Sequence, residues 1–194
     1  IFFRPAICSM STNEVIAANA KVGVLFVCLG NICRSPTAEA VFRDIVKTRG
    51  LEAVFDIDSC GTGGGSSNWC HPGGFSYHEG ESSDTRMKAA AAKRGIAIDC
   101  VSRPLRPEDF DRFQYIMAMD RSNKEAILNA ANVWGMNTAV GQNIHMMTSY
   151  CREHQVEEVP DPYYGGAKGF ERVLDLLGDA CVGLLEAIES RRGP

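Results

Sequence analysis

The feature that most constrains the fold is a short apolar run that leads through a small loop into a helix start. Residues 22–27 are almost all apolar and rich in valine, which is typical of a strand buried on both faces of a parallel sheet. Ser35 is a candidate N-cap and Pro36 suits the first helical position. The sequence therefore predicts a strand, a loop and a helix in succession, with the helix ending at Gly50.

Strand and helix patterns alternate along the rest of the chain. The Gly-, Ser- and Pro-rich residues 61–80 are a predicted loop. The alternation favours an α/β fold with an open, doubly wound, four-stranded parallel sheet and helices on both faces, as in flavodoxin-like proteins. Such sheets bind ligands at the carboxyl ends of their strands. The other elements are predicted as strands over 54–58, 115–119 and 143–147 and helices over 84–94, 121–131 and 170–190.

Length and charge set broad limits. The 194 residues suit one domain, assigned to residues 21–194, and residues 1–20 are interpreted as a disordered leader or a targeting remnant. A net charge of −4 gives no general attraction to nucleic acid or to an anionic membrane. The eight cysteines are scattered, which favours reduced thiols. We therefore expect a cytoplasmic monomer, or a protein of a plastid or other organelle if the leader is a transit remnant.

The spacing Cys-x5-Arg occurs twice, from Cys28 to Arg34 and from Cys100 to Arg106. A phosphate cradle needs free backbone N–H groups and a helix N-terminus behind them. Pro104 lies inside the second segment and removes one of these donors. The first segment has no internal proline, contains Gly30 for a tight turn, follows a predicted strand and opens a helix. Only the first is therefore predicted to bind phosphate.

This loop carries the groups needed for phosphoryl transfer. A helix N-terminus and a neighbouring arginine favour the thiolate of a cysteine, so Cys28 is the predicted nucleophile. The planar guanidinium of Arg34 can donate to two phosphate oxygens at once. The hydroxyl of Ser35 is a candidate donor to the sulfur.

Residues 24–39 resemble the signature of the low-molecular-weight protein tyrosine phosphatases. Three further segments agree with that family over roughly residues 22–190: 161–164 (Asp-Pro-Tyr-Tyr), 119–123 (Met-Asp-Arg-Ser-Asn) and 58–62 (Asp-Ser-Cys-Gly-Thr). The resemblance implies hydrolysis of phosphotyrosine and small aryl phosphates through a cysteinyl-phosphate. It also implies phosphotyrosine proteins or small phosphomonoesters as partners, with no cofactor.

The resemblance also assigns roles to individual residues. Asp161 is the implied general acid, which must carry a proton while the thiol of Cys28 is ionised. Cys33 is either the partner of Cys28 in a protective disulfide or a small packing residue. The remaining implied site residues line the loop or pocket (Leu29, Gly30, Asn31, Ile32, Cys33, Tyr163, Tyr164) or support it (Ser59, Asp120).

One region departs from the family pattern. The family places an aromatic pocket wall soon after the second strand, and here Trp69 and Tyr77 compete for that place. Residues 70–76 resemble an insertion, so residues 61–77 form an unusually long loop.

Two other functions remain open. An arsenate reductase of the same fold would need a second, close cysteine pair, and only Cys100 lies in that part of the chain. A phosphate-binding module without activity is the second alternative. No metal is predicted, because the spacing of Cys60, Cys70, His71 and His78 fits no common zinc pattern.

Overall fold

The computed structural model describes residues 21–192, so the interpretation of residues 1–20 lies outside the described residues. Four strands alternate with helices along the chain. In chain order the elements are β1 (Val22–Cys28), α1 (Arg34–Thr48), β2 (Phe55–Gly61), α2 (Thr85–Ala92), α3 (Asp109–Arg112), β3 (Tyr115–Ala118), α4 (Arg121–Val133), β4 (Ile144–Met146) and α5 (Ala167–Arg192).

The four strands form one parallel sheet in the order β2-β1-β3-β4. The predicted α/β fold is confirmed. Because β1 lies between β2 and β3, the chain leaves β1 at the point where the strand order reverses. The loop that follows Cys28 therefore opens at the crevice where sheets of this kind bind ligands.

Strand β1 is buried on both faces, as its continuous apolar run predicts. Val24 and Phe26 pack into the core beneath α1 and α5, while Leu25 and Val27 pack into the core beneath α4. Phe26 meets Phe42 of α1 edge to face, with ring centroids 5.7 Å apart. Helices thus cover both faces of the sheet and hold the end of β1 in a fixed position. No helix within residues 21–192 has the length and apolar character needed to span a bilayer.

The start of α1 differs from the prediction. Cys33 is the N-cap and Ser35 lies inside the first turn, so Ser35 is not the cap. The physical reason is that the Ser35 hydroxyl is used elsewhere, because it lies 3.0 Å from the sulfur of Cys28. Helix α1 ends as expected, with Gly50 in the left-handed region at φ 68°.

Candidate active site

The loop after β1 borders a pocket and keeps backbone N–H groups without a partner in residues 21–192. Its carbonyl oxygens accept hydrogen bonds from outside the loop, including those of Leu29 from Gly64 N (2.9 Å) and Ile32 from Asp84 N (2.8 Å). Within the described part of the chain, no backbone N–H of residues 29–33 donates a hydrogen bond to protein. Free donors in a loop with a helix N-terminus behind it are typical of a site for an anion.

A buried hydrogen-bond network supports the sulfur of Cys28, a residue that is 3% exposed. Asn31 Nδ2 donates to the hydroxyls of both Ser35 and Ser59 at 2.9 Å, and Ser59 Oγ donates to Glu39 Oε2 at 2.7 Å. Asn31 occupies the left-handed region at φ 53°, a conformation that asparagine tolerates better than most residues. The network fixes both the loop and the hydroxyl that faces the sulfur.

The guanidinium of Arg34 is fixed on one side and faces the pocket on the other. Its Nη1 donates to Asp120 Oδ2 at 2.5 Å and to the Val159 carbonyl at 3.2 Å, and its Nη2 donates to Asp161 Oδ2 at 3.2 Å. Burial acts to lower the pKa of Arg34, but the charges of Cys28, Asp161 and Asp120 outweigh it and raise the pKa above its usual value. The cation therefore persists in a buried position where it can bind a phosphate dianion.

Asp161 lies at the mouth of the pocket, with its side chain 40% exposed. The backbone N–H of Tyr163 donates to Asp161 Oδ1 at 3.1 Å and orients the carboxylate. The ring of Tyr163 contacts Tyr164 edge to face and lies 5.3 Å from the guanidinium carbon of Arg86. An acid and two aromatic rings therefore stand at the same side of the pocket.

Most of the residues implied by the motifs meet at this one pocket. Asn31, Ser35, Ser59 and Asp120 lie behind the lining and hold it in place. The lining consists of Cys28, Leu29, Gly30, Ile32, Cys33, Arg34, Gly64, His78, Asp161, Tyr163 and Tyr164.

Comparison with known proteins identifies this arrangement. A family model described as low molecular weight phosphotyrosine protein phosphatase matches residues 23–192. The chain belongs to this family. Its members are phosphoric monoester hydrolases, so the predicted family and enzyme class are confirmed.

Individual relatives agree in sequence and fold. The low molecular weight phosphotyrosine protein phosphatase of Schizosaccharomyces pombe is 42% identical over 87% of this chain and 97% of its own length. The human protein of the same name is 36% identical over 88% and 98% of the two chains. A crystal structure of a protein tyrosine phosphatase from Entamoeba histolytica has a TM-score of 0.77 and 40% identity, covering 89% of this chain and all of that one.

The pocket wall differs from both candidates that the family pattern suggested. Trp69 packs edge to face on Trp134, with ring centroids 5.7 Å apart, and both rings are partly buried against the core beneath α4. Tyr77 is half exposed beside the pocket, and neither residue is part of the lining. Instead His78 lines the pocket, with Nδ1 2.7 Å from Glu81 Oε2. Its φ of 68° turns the chain at this point, and no feature of the sequence signals that conformation.

Two supporting residues were also missed. Ser102 Oγ donates to the Gly30 carbonyl, and the Arg103 backbone N–H donates to Asn31 Oδ1, both at 2.9 Å. Both residues belong to the second Cys-x5-Arg segment, for which the sequence predicts no phosphate binding. The segment instead packs behind the loop that follows β1 in this phosphatase. Its sequence carries no signal for that role, because the contacts join residues 72 positions apart.

All seven cysteines of residues 21–192 carry free thiols, Cys28 and Cys33 among them. Burial, and then the neighbouring charge of Asp84, raise the pKa of Cys33 far above its usual value. Cys33 is therefore protonated at neutral pH and is a poor nucleophile beside Cys28. Within residues 21–192, no group of three His, Cys, Asp or Glu side chains is arranged to hold a metal ion.

Replacing Ser35 with alanine is expected to lower kcat for p-nitrophenyl phosphate by about 10–100-fold, because a hydrogen bond to a charged group contributes about 1.5–3 kcal/mol. The lost bond is the one at 3.0 Å between Ser35 and Cys28. Ser83→Ala is a matched control, since it removes the 3.8 Å hydroxyl–sulfur contact with Cys100. Steady-state kinetics measure both. Equal rates for Ser35→Ala and the parent would exclude this bond from catalysis.

Proposed function

We propose that the chain hydrolyses phosphotyrosine and small aryl phosphate monoesters through a cysteinyl-phosphate intermediate. One observation carries this proposal: Cys28, Arg34 and Asp161 line the same pocket, beside a loop whose N–H groups at residues 29–33 have no partner in the described protein. An anion site without a nucleophile would bind phosphate only. A nucleophile, a fixed cation and an acid in the same pocket supply each group that hydrolysis requires.

In the first step the thiolate of Cys28 attacks phosphorus, and the bond between phosphorus and the phenolic oxygen breaks. The loop N–H groups and the guanidinium of Arg34 neutralise the charge on the three non-bridging oxygens. Tyrosine has a pKa of about 10, so its phenolate leaves slowly without a proton. Asp161 donates that proton from the mouth of the pocket, where the leaving group departs.

In the second step water attacks phosphorus, and the bond from sulfur to phosphorus breaks. The carboxylate of Asp161 accepts the proton from the attacking water and is restored as the acid. Ser35 has a single hydroxyl proton, which can go to the Cys60 carbonyl (3.1 Å) or to the sulfur of Cys28 (3.0 Å). When the thiolate leaves, donation to the sulfur stabilises it.

The supporting residues act through these three groups. Asp120 orients Arg34 and also caps α4 through the Asn123 backbone N–H at 2.6 Å. Ser59 orients Asn31, and the rings of Tyr163 and Tyr164 offer an aromatic surface to the phenyl ring of the substrate.

The proposed partners are phosphotyrosine proteins and small phosphomonoesters. The monomeric state and the cytoplasmic compartment stay predictions.

A substrate panel tests this function. We expect kcat/KM for a phosphotyrosine peptide to exceed that for the matching phosphoserine peptide by about 10–100-fold, because burying an aromatic ring contributes about 1.5–3 kcal/mol. Flavin and sugar phosphates complete the panel, with phosphate release as the measurement. Equal rates on the two peptides would contradict the proposed substrate class, and thiol-dependent arsenate reduction without phosphate release would favour the reductase.

A further inference from the structure

Exposed apolar side chains are concentrated around the mouth of the pocket. Of the six large apolar side chains that are exposed in residues 21–192, four belong to the pocket or to the loop beside it. Single exposed apolar residues are ordinary, but a group of them beside a binding site marks an interaction surface. The four are Leu29, Phe75, Tyr77 and Tyr164.

Two of these four form an aromatic pair outside the pocket. The rings of Phe75 and Tyr77 meet edge to face with centroids 4.9 Å apart, and they are 53% and 50% exposed. The pair adjoins the pocket through Gly64, which lines it. The backbone of Gly64 lies so close to Tyr77 that a Cβ on Gly64 would be only 2.8 Å from the Cβ of Tyr77. The residue after Tyr77 is His78, which itself lines the pocket.

The loop that carries this pair is anchored on both sides. Trp134 Nε1 donates to the Cys70 carbonyl at 2.8 Å, and the ring of Trp69 packs on Trp134. At the other end the Tyr77 backbone N–H donates to the Gly63 carbonyl at 3.0 Å. Hydrogen bonds and packing at the two ends hold the aromatic pair in place, even though the pair adds nothing to either core cluster.

We propose that Phe75 and Tyr77 form a second subsite that binds an apolar side chain next to the phosphotyrosine of a peptide substrate. This inference rests on the proposed function. An extended substrate peptide spans about 3.3–3.6 Å per residue. A side chain one to three positions from the phosphotyrosine therefore reaches a surface that adjoins the pocket.

The size and charge of the surface favour this occupant. Two half-exposed aromatic rings offer about 200 Å², enough for one side chain and far below the roughly 800 Å² per partner of a stable interface. The carboxylates of Glu79 and Glu81 follow the pair; Glu79 pairs with Arg106 at 3.5 Å and Glu81 with His78 at 2.7 Å, and both carboxylates stay substantially exposed at the surface. An acidic residue in the peptide is therefore disfavoured beside them, and an apolar one is preferred.

The test uses phosphotyrosine peptides in which each of the three positions on either side carries leucine, serine or glutamate in turn. At one position at least, leucine is expected to raise kcat/KM about tenfold over serine, because partial burial of its side chain contributes to binding, and glutamate is expected to be the weakest. If no position distinguishes leucine from serine, the subsite does not exist.

A Phe75→Ser variant completes a double-mutant cycle with the peptides. The preference for leucine is expected to fall from about tenfold to less than about twofold. Leu128→Ser is the matched control, because Leu128 is an exposed apolar residue on α4, outside the pocket lining, and it should keep the full preference. An unchanged preference in Phe75→Ser would overturn the proposal.

Turnover of p-nitrophenyl phosphate separates this inference from the proposed function. Hydrolysis of this small ester together with equal rates on leucine and serine peptides would remove the subsite alone. No hydrolysis of any ester would remove the proposed function itself. Phe75→Ser could also lose as much turnover on p-nitrophenyl phosphate as it loses on leucine peptides. That result would overturn the subsite, because the loss would then arise in the pocket.

Discussion

Cys28→Ser is expected to lower turnover of p-nitrophenyl phosphate by at least about 10⁴-fold, as removal of a nucleophile does in other enzymes, while inorganic phosphate still binds. The reason is that binding and chemistry use different groups here. In the proposed mechanism the N–H groups of residues 29–33 and the guanidinium of Arg34 bind the anion, and none of them depends on the sulfur. A serine hydroxyl has a much higher pKa than a thiol and supplies almost no anion at neutral pH.

Two measurements on this variant separate the roles. Isothermal titration with phosphate is expected to give a Kd within about tenfold of the parent, since a neutral hydroxyl replaces the sulfur without removing a donor. Cys33→Ser is the matched control, because Cys33 is a second buried thiol in the same pocket. It should keep most of the activity, since its thiol is protonated at neutral pH. Full turnover in Cys28→Ser would exclude Cys28 as the nucleophile.

The central part of the site could be predicted because it is local in sequence. The strand, the phosphate loop and the first turn of α1 are contiguous, so the apolar run, Gly30 and Pro36 indicate the arrangement that the structure shows. The sheet was predictable for a similar reason. Strands β1 and β3 are short, largely apolar segments, β2 alternates apolar with polar residues, and the intervening helices leave a parallel order as the simplest solution.

The parts that were missed depend on contacts between distant segments. Trp69 was a reasonable candidate for the wall, but burial against Trp134 draws it to the opposite face of the sheet. Serine is a residue type that often caps helix N-termini, but the hydroxyl of Ser35 contacts the sulfur of Cys28 instead of a backbone N–H of the helix. His78 lines the pocket through a left-handed backbone conformation that local propensity disfavours. Each outcome is decided by tertiary packing, which a single sequence does not display.

Asp161→Asn is expected to lower kcat by about 10²–10⁴-fold for substrates with poor leaving groups, such as phenyl phosphate and phosphotyrosine, because a general acid contributes about that much. For p-nitrophenyl phosphate, whose leaving group is a weaker base, the loss should be smaller. The measurement is kcat across a series of aryl phosphates. Asp175→Asn is the matched control, since Asp175 is an exposed aspartate paired with Arg94 at 2.7 Å, and it should leave the series unchanged. Equal losses for good and poor leaving groups would remove Asp161 as the acid.

The same variant is expected to bind inorganic phosphate more tightly. In its ionised form Asp161 accepts from Arg34 Nη2 through Oδ2 at 3.2 Å. That form competes with phosphate for one of the guanidinium donors and repels the anion, whereas the protonated form that serves as the acid does not. An amide removes that negative charge and keeps the shape of the side chain. We therefore expect a lower inhibition constant for phosphate together with the lower kcat. If Asp161 only stabilised the structure, its replacement would weaken phosphate binding as well as turnover. A higher inhibition constant for phosphate in Asp161→Asn, together with the lower kcat, would therefore contradict a direct role in proton transfer.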